Sequence, residues 1–188
     1  MDEKAYENVA MRREAGNVKR WHIVPTVGNG ETVGHHQNNA VNLLLCLWPT
    51  ASRALIVYMV QHDTTERWTG DIPASCKAMF PAIMKGVEAA ETQLEMEMDI
   101  PGTEHLNPTE RQWARGIDAL ECVLFCHEQL AMGNRNFENA LDSLLVWFEN
   151  KVGIPMQIQD FLRDYKWKRY PDYLWGQHYG NNEQQQRQ

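Results

Sequence analysis

The sequence predicts an all-α protein, a compact helical bundle, and three observations lead there. Apolar residues recur at three- and four-residue intervals in several separate stretches. No set of segments alternates apolar and polar residues as the strands of a sheet would, and no internal repeat appears. At 188 residues with 43% hydrophobic content, the chain can bury one substantial core without disulfide or metal staples. One domain over 1–180, followed by a disordered polar tail over 181–188, is the expected organisation.

Taken in order, residues 1–19 read as a short mixed-charge helix ending near Gly16, with Ala5 and Val9 on a weak apolar face. Arg20-Trp21-His22-Ile23-Val24-Pro25 follows, and its alternation suits an extended segment ahead of the loop holding Gly28, Gly30 and Gly34. From Thr32 to Leu47 the spacing of Ala40, Val41, Leu44 and Leu45 is helical, and Pro49 stops it. Ala54 to Val60 is a buried apolar helix, which gives way abruptly to the polar run from Gln61 to Pro73. Ala74 to about Met98 is one long helical pattern, interrupted or kinked near Pro81, with Glu88, Glu91, Glu95 and Glu97 on a solvated face. Asp99-Ile100-Pro101-Gly102 ends it. Pro108 precedes a helix whose stripe is Trp113, Ile117, Leu120 and Leu124. A helix over 137–151, a short helix after 156 and an aromatic segment with Tyr165, Trp167, Tyr170, Tyr173 and Trp175 complete the chain.

Charge and cysteine usage narrow the function classes. A net charge of −7 opposes broad electrostatic binding to nucleic acid, yet a few local cations can still hold a small anionic ligand. No apolar run is long enough to span a bilayer, so no membrane partner is expected. Cys46, Cys76, Cys122 and Cys126 lack the paired spacing of a zinc knuckle or a disulfide framework. Cys122 and Cys126, four apart on one helix face, read as core. A soluble, reducing, cytoplasmic setting follows.

The candidate chemistry begins at His62-Asp63, where the apolar helix ends. Adjacent residues on a helix point roughly 100° apart, so this pair can hold one ion only where the backbone leaves the helical path. The alternative is a surface His-Asp pair. His36 lies on the inward face of its helix and His35 is turned toward Asn39 and Asn42; a lone inward histidine is either a ligand or a satisfied core group. Asp118 stands beside the apolar stripe of its helix, where a carboxylate needs a partner. That partner is either Arg115, one turn away, or an ion. Arg20 and Trp21 suit either a wall for a base and a phosphate or the packing of the first helix on the core. Together His36, His62, Asp63 and Asp118 form a set of two imidazoles and two carboxylates from three helices. Such a set suits zinc, cobalt, manganese or iron. Glu66, about one turn after Asp63, is placed to exchange protons with a water on that ion.

In order and approximate spacing these residues resemble the HD-domain phosphohydrolases, specifically the compact branch acting on deoxynucleotides. The matching blocks are Arg20-Trp21, Glu31-Thr32-Val33-Gly34-His35-His36, then His62-Asp63-Thr64-Thr65-Glu66-Arg67-Trp68-Thr69-Gly70-Asp71-Ile72-Pro73, and Asp118 in a later helix. They cover residues 20 to about 125. The resemblance implies a compact HD-domain helical bundle with a divalent metal ion (Zn, Co or Mn) on His36, His62, Asp63 and Asp118. It implies Glu66 as the catalytic acid/base, Arg20 and Lys77 as phosphate contacts, and Trp21 and Asp71 near the sugar. His35 departs from the family, whose members often carry Glu there, and its imidazole rivals that of His36.

Two substrates lie within that branch. One subgroup resembles bacterial 5'-deoxynucleotidases acting on deoxynucleoside monophosphates, the other viral enzymes that cleave dATP to deoxyadenosine and triphosphate. Ile23 beside Arg20-Trp21 can crowd a purine substituent, an effect of about 1 to 3 kcal/mol. Arg20, Lys77 and Arg115 supply the cations a triphosphate asks for. The expectation is therefore a dATP triphosphohydrolase, a small-molecule enzyme, packed as a homo-oligomer through its aromatic and Met-rich surfaces.

Overall fold

In the computed structural model, which describes residues 3–165, helices α1 (Glu3–Ala15), α2 (Val33–Leu47) and α3 (Arg53–Gln61) are followed by two short ones. These are α4 (Glu66–Thr69) and α5 (Ala74–Met79), after which come α6 (Pro81–Met98), α7 (Pro108–Ala131), α8 (Glu138–Asn150) and α9 (Met156–Asp164). Among the described residues the only extended pairing is an isolated antiparallel bridge between Lys19 and Thr32. The all-α expectation holds. The aromatic segment beyond Tyr165 and the polar tail over 181–188 lie outside the described residues.

The three central helices, α2, α3 and α7, start where the sequence supplies a cap. Thr32 accepts a hydrogen bond from the backbone N–H of His35, and Ser52 accepts one from Leu55. Asn107 and Glu110 form a reciprocal capping box ahead of α7, with Pro108 in the first turn. The Ser52 hydroxyl also donates to Glu110 Oε1 at 2.5 Å, which ties the start of α3 to the start of α7. The long pattern from Ala74 to Met98 breaks at Phe80, with Pro81 opening α6, as its proline position implies. Asp99 then ends α6 in the left-handed conformation, φ 55°.

The segment after Arg20 departs from its expected extended form. Trp21 takes φ 58°, and the Val24 N–H bonds back to the Trp21 carbonyl at 2.9 Å, so the chain turns there. Period-two alternation over so few residues could not distinguish a strand from a turn. The turn is fixed by tertiary contacts: the Trp21 N–H donates to Asp71 Oδ2 at 3.1 Å, and its ring stacks on Phe125 with centroids 5.7 Å apart.

The core sits where α2, α3 and α7 meet, with α9 closing one side. Ala40 and Leu44 from α2, Leu55 and Met59 from α3, and Trp113, Ile117 and Leu120 from α7 are buried together with Ile154 and Ile158. Each such aliphatic side chain contributes about 1.5–3 kcal/mol on leaving water. A second cluster of Phe125, Cys126 and Phe137 takes in Trp21 and Val24. Gly34 lies against Gly16, where an added Cβ would sit 3.1 Å from the Gly16 carbonyl oxygen. That close approach brings α1 onto the first turn of α2. Packing the three central helices so tightly leaves His36, the end of α3 and the middle of α7 facing one point.

Candidate metal centre

His36 is fully buried on α2. His62 is the C-cap of α3, and past it the chain leaves the helix through turns closed by Thr64 N–H to Gln61 O and Glu66 N–H to Asp63 O. This is the helix end that lets adjacent His62 and Asp63 address one point. Asp118 reaches in from α7, with 45% of its side-chain surface open. His36 Nε2 stands 3.1 Å from Asp118 Oδ1 and 3.6 Å from Asp63 Oδ2. His62 Nε2 stands 3.4 Å from Asp63 Oδ2 and 3.9 Å from Asp118 Oδ1. Both Nε2 atoms are buried without a well-aligned hydrogen-bond partner. Two unpartnered imidazole nitrogens facing two carboxylate oxygens fit a divalent cation, because burial without a partner is costly. His36, His62 and Asp118 place their donor atoms within 4.8 Å of one another.

Electrostatics agree. Burial opposes charge on His36, but the carboxylates of Asp118 and Glu121 outweigh it and pull the imidazole up to about 10. For His62, burial is likewise outweighed, chiefly by Asp63 and then by Asp118, so its proton affinity also rises. Desolvation at Asp118 works upward and is overcome by the two histidines, which hold its carboxyl well below the usual range. A site that gathers protons this strongly is a site built for positive charge. The Glu66 carboxyl is buried beside it with Oε2 unpartnered. Burial, then Asp63 and Asp71, push it up to about 8, where it exchanges protons near neutrality.

The other sequence candidates divide. Arg20 is beside the centre, but its guanidinium is engaged: Nη1 donates to Asp63 Oδ2 at 2.9 Å, Nε to Glu31 Oε2 at 3.2 Å and Nη2 to Cys122 Sγ at 3.3 Å. Trp21 packs into the aromatic cluster and donates from Nε1 to Glu31 Oε2 at 2.9 Å. Asp71 meets Trp21 through its backbone N–H. Ile23 is exposed on the same turn, and Lys77 and Arg115 are exposed on α5 and α7. Lys77 is near enough to lower the Glu66 carboxyl somewhat, and Arg115 acts on Tyr58, whose ring lies 5.9 Å from that of His62. Asp118 thus turns to the imidazoles in place of Arg115. His35 is exposed, so it offers no competition to His36.

Sequence reasoning missed Glu31 and Glu121. Glu31 is buried behind Arg20 and Trp21, and burial, then Glu121, push its carboxyl up to about 8 against the pull of Arg20. Glu121 Oε2 lies 2.5 Å from His36 Nδ1. Its signal was present: it follows Asp118 by three positions on α7 and so shares its face. Cys122, expected in the core, is half-buried against Arg20. His36, Glu121 and Cys122 also place donor atoms within 4.8 Å of one another, but the Glu121 to His36 bond occupies the atoms a second ion would need.

No family model and no curated protein matches the sequence. Among solved structures, the chain is similar to a cyanophage S-2L HD phosphohydrolase, DatZ, bound to dA and one catalytic Zn2+ ion. The match has a TM-score of 0.62 and 19% identity, and covers 83% of this chain and 92% of that one. The chain has an HD-domain helical fold. Helices α2 and α7, which carry His36 and Asp118, and α3, which ends at His62, are also the ones that make the core.

Proposed function

We propose that this chain is a metal-dependent phosphohydrolase of deoxynucleotides, with dATP as substrate and deoxyadenosine and triphosphate as products. The observation that carries the reading is the convergence of His36, His62, Asp63 and Asp118 with both imidazole Nε2 atoms left unpartnered. The shared fold with a phosphohydrolase whose structure contains dA and zinc supports it. His36, His62, Asp63 and Asp118 would hold a divalent ion of the zinc, cobalt or manganese type, which when bound would supply Lewis acidity toward water and the phosphoryl group near neutral pH.

The remaining work falls to the chain's own residues. Glu66 takes the proton from the attacking water and returns it to the 5'-oxygen as the bond to phosphorus breaks. Arg20 holds Asp63 in place through Oδ2, while Glu31 and Cys122 hold Arg20. Lys77 and Arg115, both exposed, offer positive charge to the phosphate chain. The Trp21 turn, fixed by Asp71, is set against the sugar, and exposed Ile23 against the purine edge. Partner surfaces belong to the same reading: Met79, Phe80 and Ile83 are exposed at the junction of α5 and α6, where a second copy can cover them. Sedimentation velocity at micromolar concentration should then show a species heavier than one chain; a lone monomer counts against it.

A second reading, a 5'-deoxynucleotidase for monophosphates, is favoured by one observation. The guanidinium of Arg20 is engaged by Asp63, Glu31 and Cys122, which leaves fewer cations for a triphosphate. Incubation with dATP or dAMP plus zinc, cobalt or manganese, followed by chromatography, separates the two. Deoxyadenosine and triphosphate from dATP support the first. Orthophosphate from dAMP with dATP left intact replaces it with the second, and no turnover of either overturns both.

A further inference from the structure

We propose that Glu121 is a positioning residue for the metal centre: it accepts the Nδ1 proton of His36, fixes the Nε2 lone pair toward Asp63 and Asp118, and so sets the affinity for the ion. The inference rests on the metal-dependent reading above. Glu121 Oε2 lies 2.5 Å from His36 Nδ1, and its side chain is 4% exposed. Its other oxygen is held by Asn39 Nδ2 at 3.3 Å, so α2 supplies both the histidine and the group that steadies its backing. On α7, Glu121 stands about one turn beyond Asp118, so one helix delivers a ligand and a support to the same point.

An imidazole whose Nδ1 proton is committed to a carboxylate has one tautomer when neutral, and its Nε2 is left as the acceptor. His62 is backed differently: its Nδ1 faces the Met59 carbonyl oxygen at 3.0 Å. A hydrogen bond to a carboxylate is stronger than one to a neutral carbonyl. His36 is therefore the better anchored and more electron-rich of the two imidazoles, and Glu121 is the cause. Loss of such outer support costs about 10- to 100-fold in metal affinity.

The test is competition for Zn2+ and Co2+ between the full chain and a chromophoric chelator, with circular dichroism to check the fold. Glu121→Gln keeps the shape but removes the charge; Asn39→Ala loosens the carboxylate without touching it, and serves if the first variant does not fold. Glu97→Gln on the exposed face of α6 is the control. The expected result is about 10-fold or greater weakening in Glu121→Gln, a smaller weakening in Asn39→Ala, and none in Glu97→Gln. The visible bands of the Co2+ protein should shift in the first variant and stay put in the control. Wild-type affinity and an unchanged Co2+ spectrum in folded Glu121→Gln overturn this inference alone. A wild-type chain that leaves both metals with the chelator overturns the metal-dependent reading, and this inference with it.

Discussion

Glu66 is the residue whose chemistry depends most on where it is. In water its carboxyl would be ionised at neutral pH; buried beside Asp63 and Asp71 it is pushed up to about 8. If it moves the proton of the attacking water, Glu66→Gln should lower kcat by about 100- to 10,000-fold. Zinc affinity should be nearly unchanged, because Glu66 is not among the four donors. A variant that retains turnover would show that Glu66 is not the group that moves this proton. The same burial makes a prediction about stability in the metal-free protein. Glu66 and Glu31 both lie near 8 in the folded chain against an ordinary value of 4.5, so each contributes stability below 4.5 that is lost as pH rises through 8. His36, raised from 6.5 to about 10, runs the same way: its contribution is complete below 6.5 and lost as pH rises through 10. Urea midpoints of the metal-free protein should therefore fall between pH 4.5 and pH 8, and Glu66→Gln should flatten that fall. A midpoint that rises over this range contradicts the assignment.

Among the elements, α7 does most to fix the site, since it carries core residues, Asp118 and Glu121 along one helix. Its position relative to α3 depends on the Ser52 to Glu110 contact, and Ser52 is also the N-cap of α3. Ser52→Ala removes both roles and should cost about 1–2 kcal/mol of unfolding free energy, measured by urea denaturation. A loss within the error of the wild-type value would show the contact to be incidental. The helices themselves were readable because their starts and breakers are written locally: Thr32, Pro81, Asp99 and Pro108 fall at or beside the boundaries found. The turn at Trp21 was not readable, because a left-handed tryptophan is held by Asp71 and Phe125, both distant in the chain, as well as by nearby Glu31. The same holds for Arg20. A sequence shows that a cation is available, but not that three neighbours have already engaged it.

For the whole molecule, the donors converge because α2, α3 and α7 share one core, so ion binding and folding are linked. Zinc at a free concentration about 100 times its Kd should stabilise the native chain by ~2.7 kcal/mol and raise its melting temperature. Asp118→Asn should lose most of that gain; an equal gain in the variant would place the ion elsewhere. The joining of His36 to Glu121 across 85 positions of chain has a kinetic corollary. No local stretch holds enough donors for tight capture, so an unfolded chain cannot assemble the cage in advance. In a rapid-mixing refolding experiment with Co2+, colour should appear only with the slowest structural phase, after helical signal has already returned, and its rate should not depend on cobalt concentration once the ion is in excess.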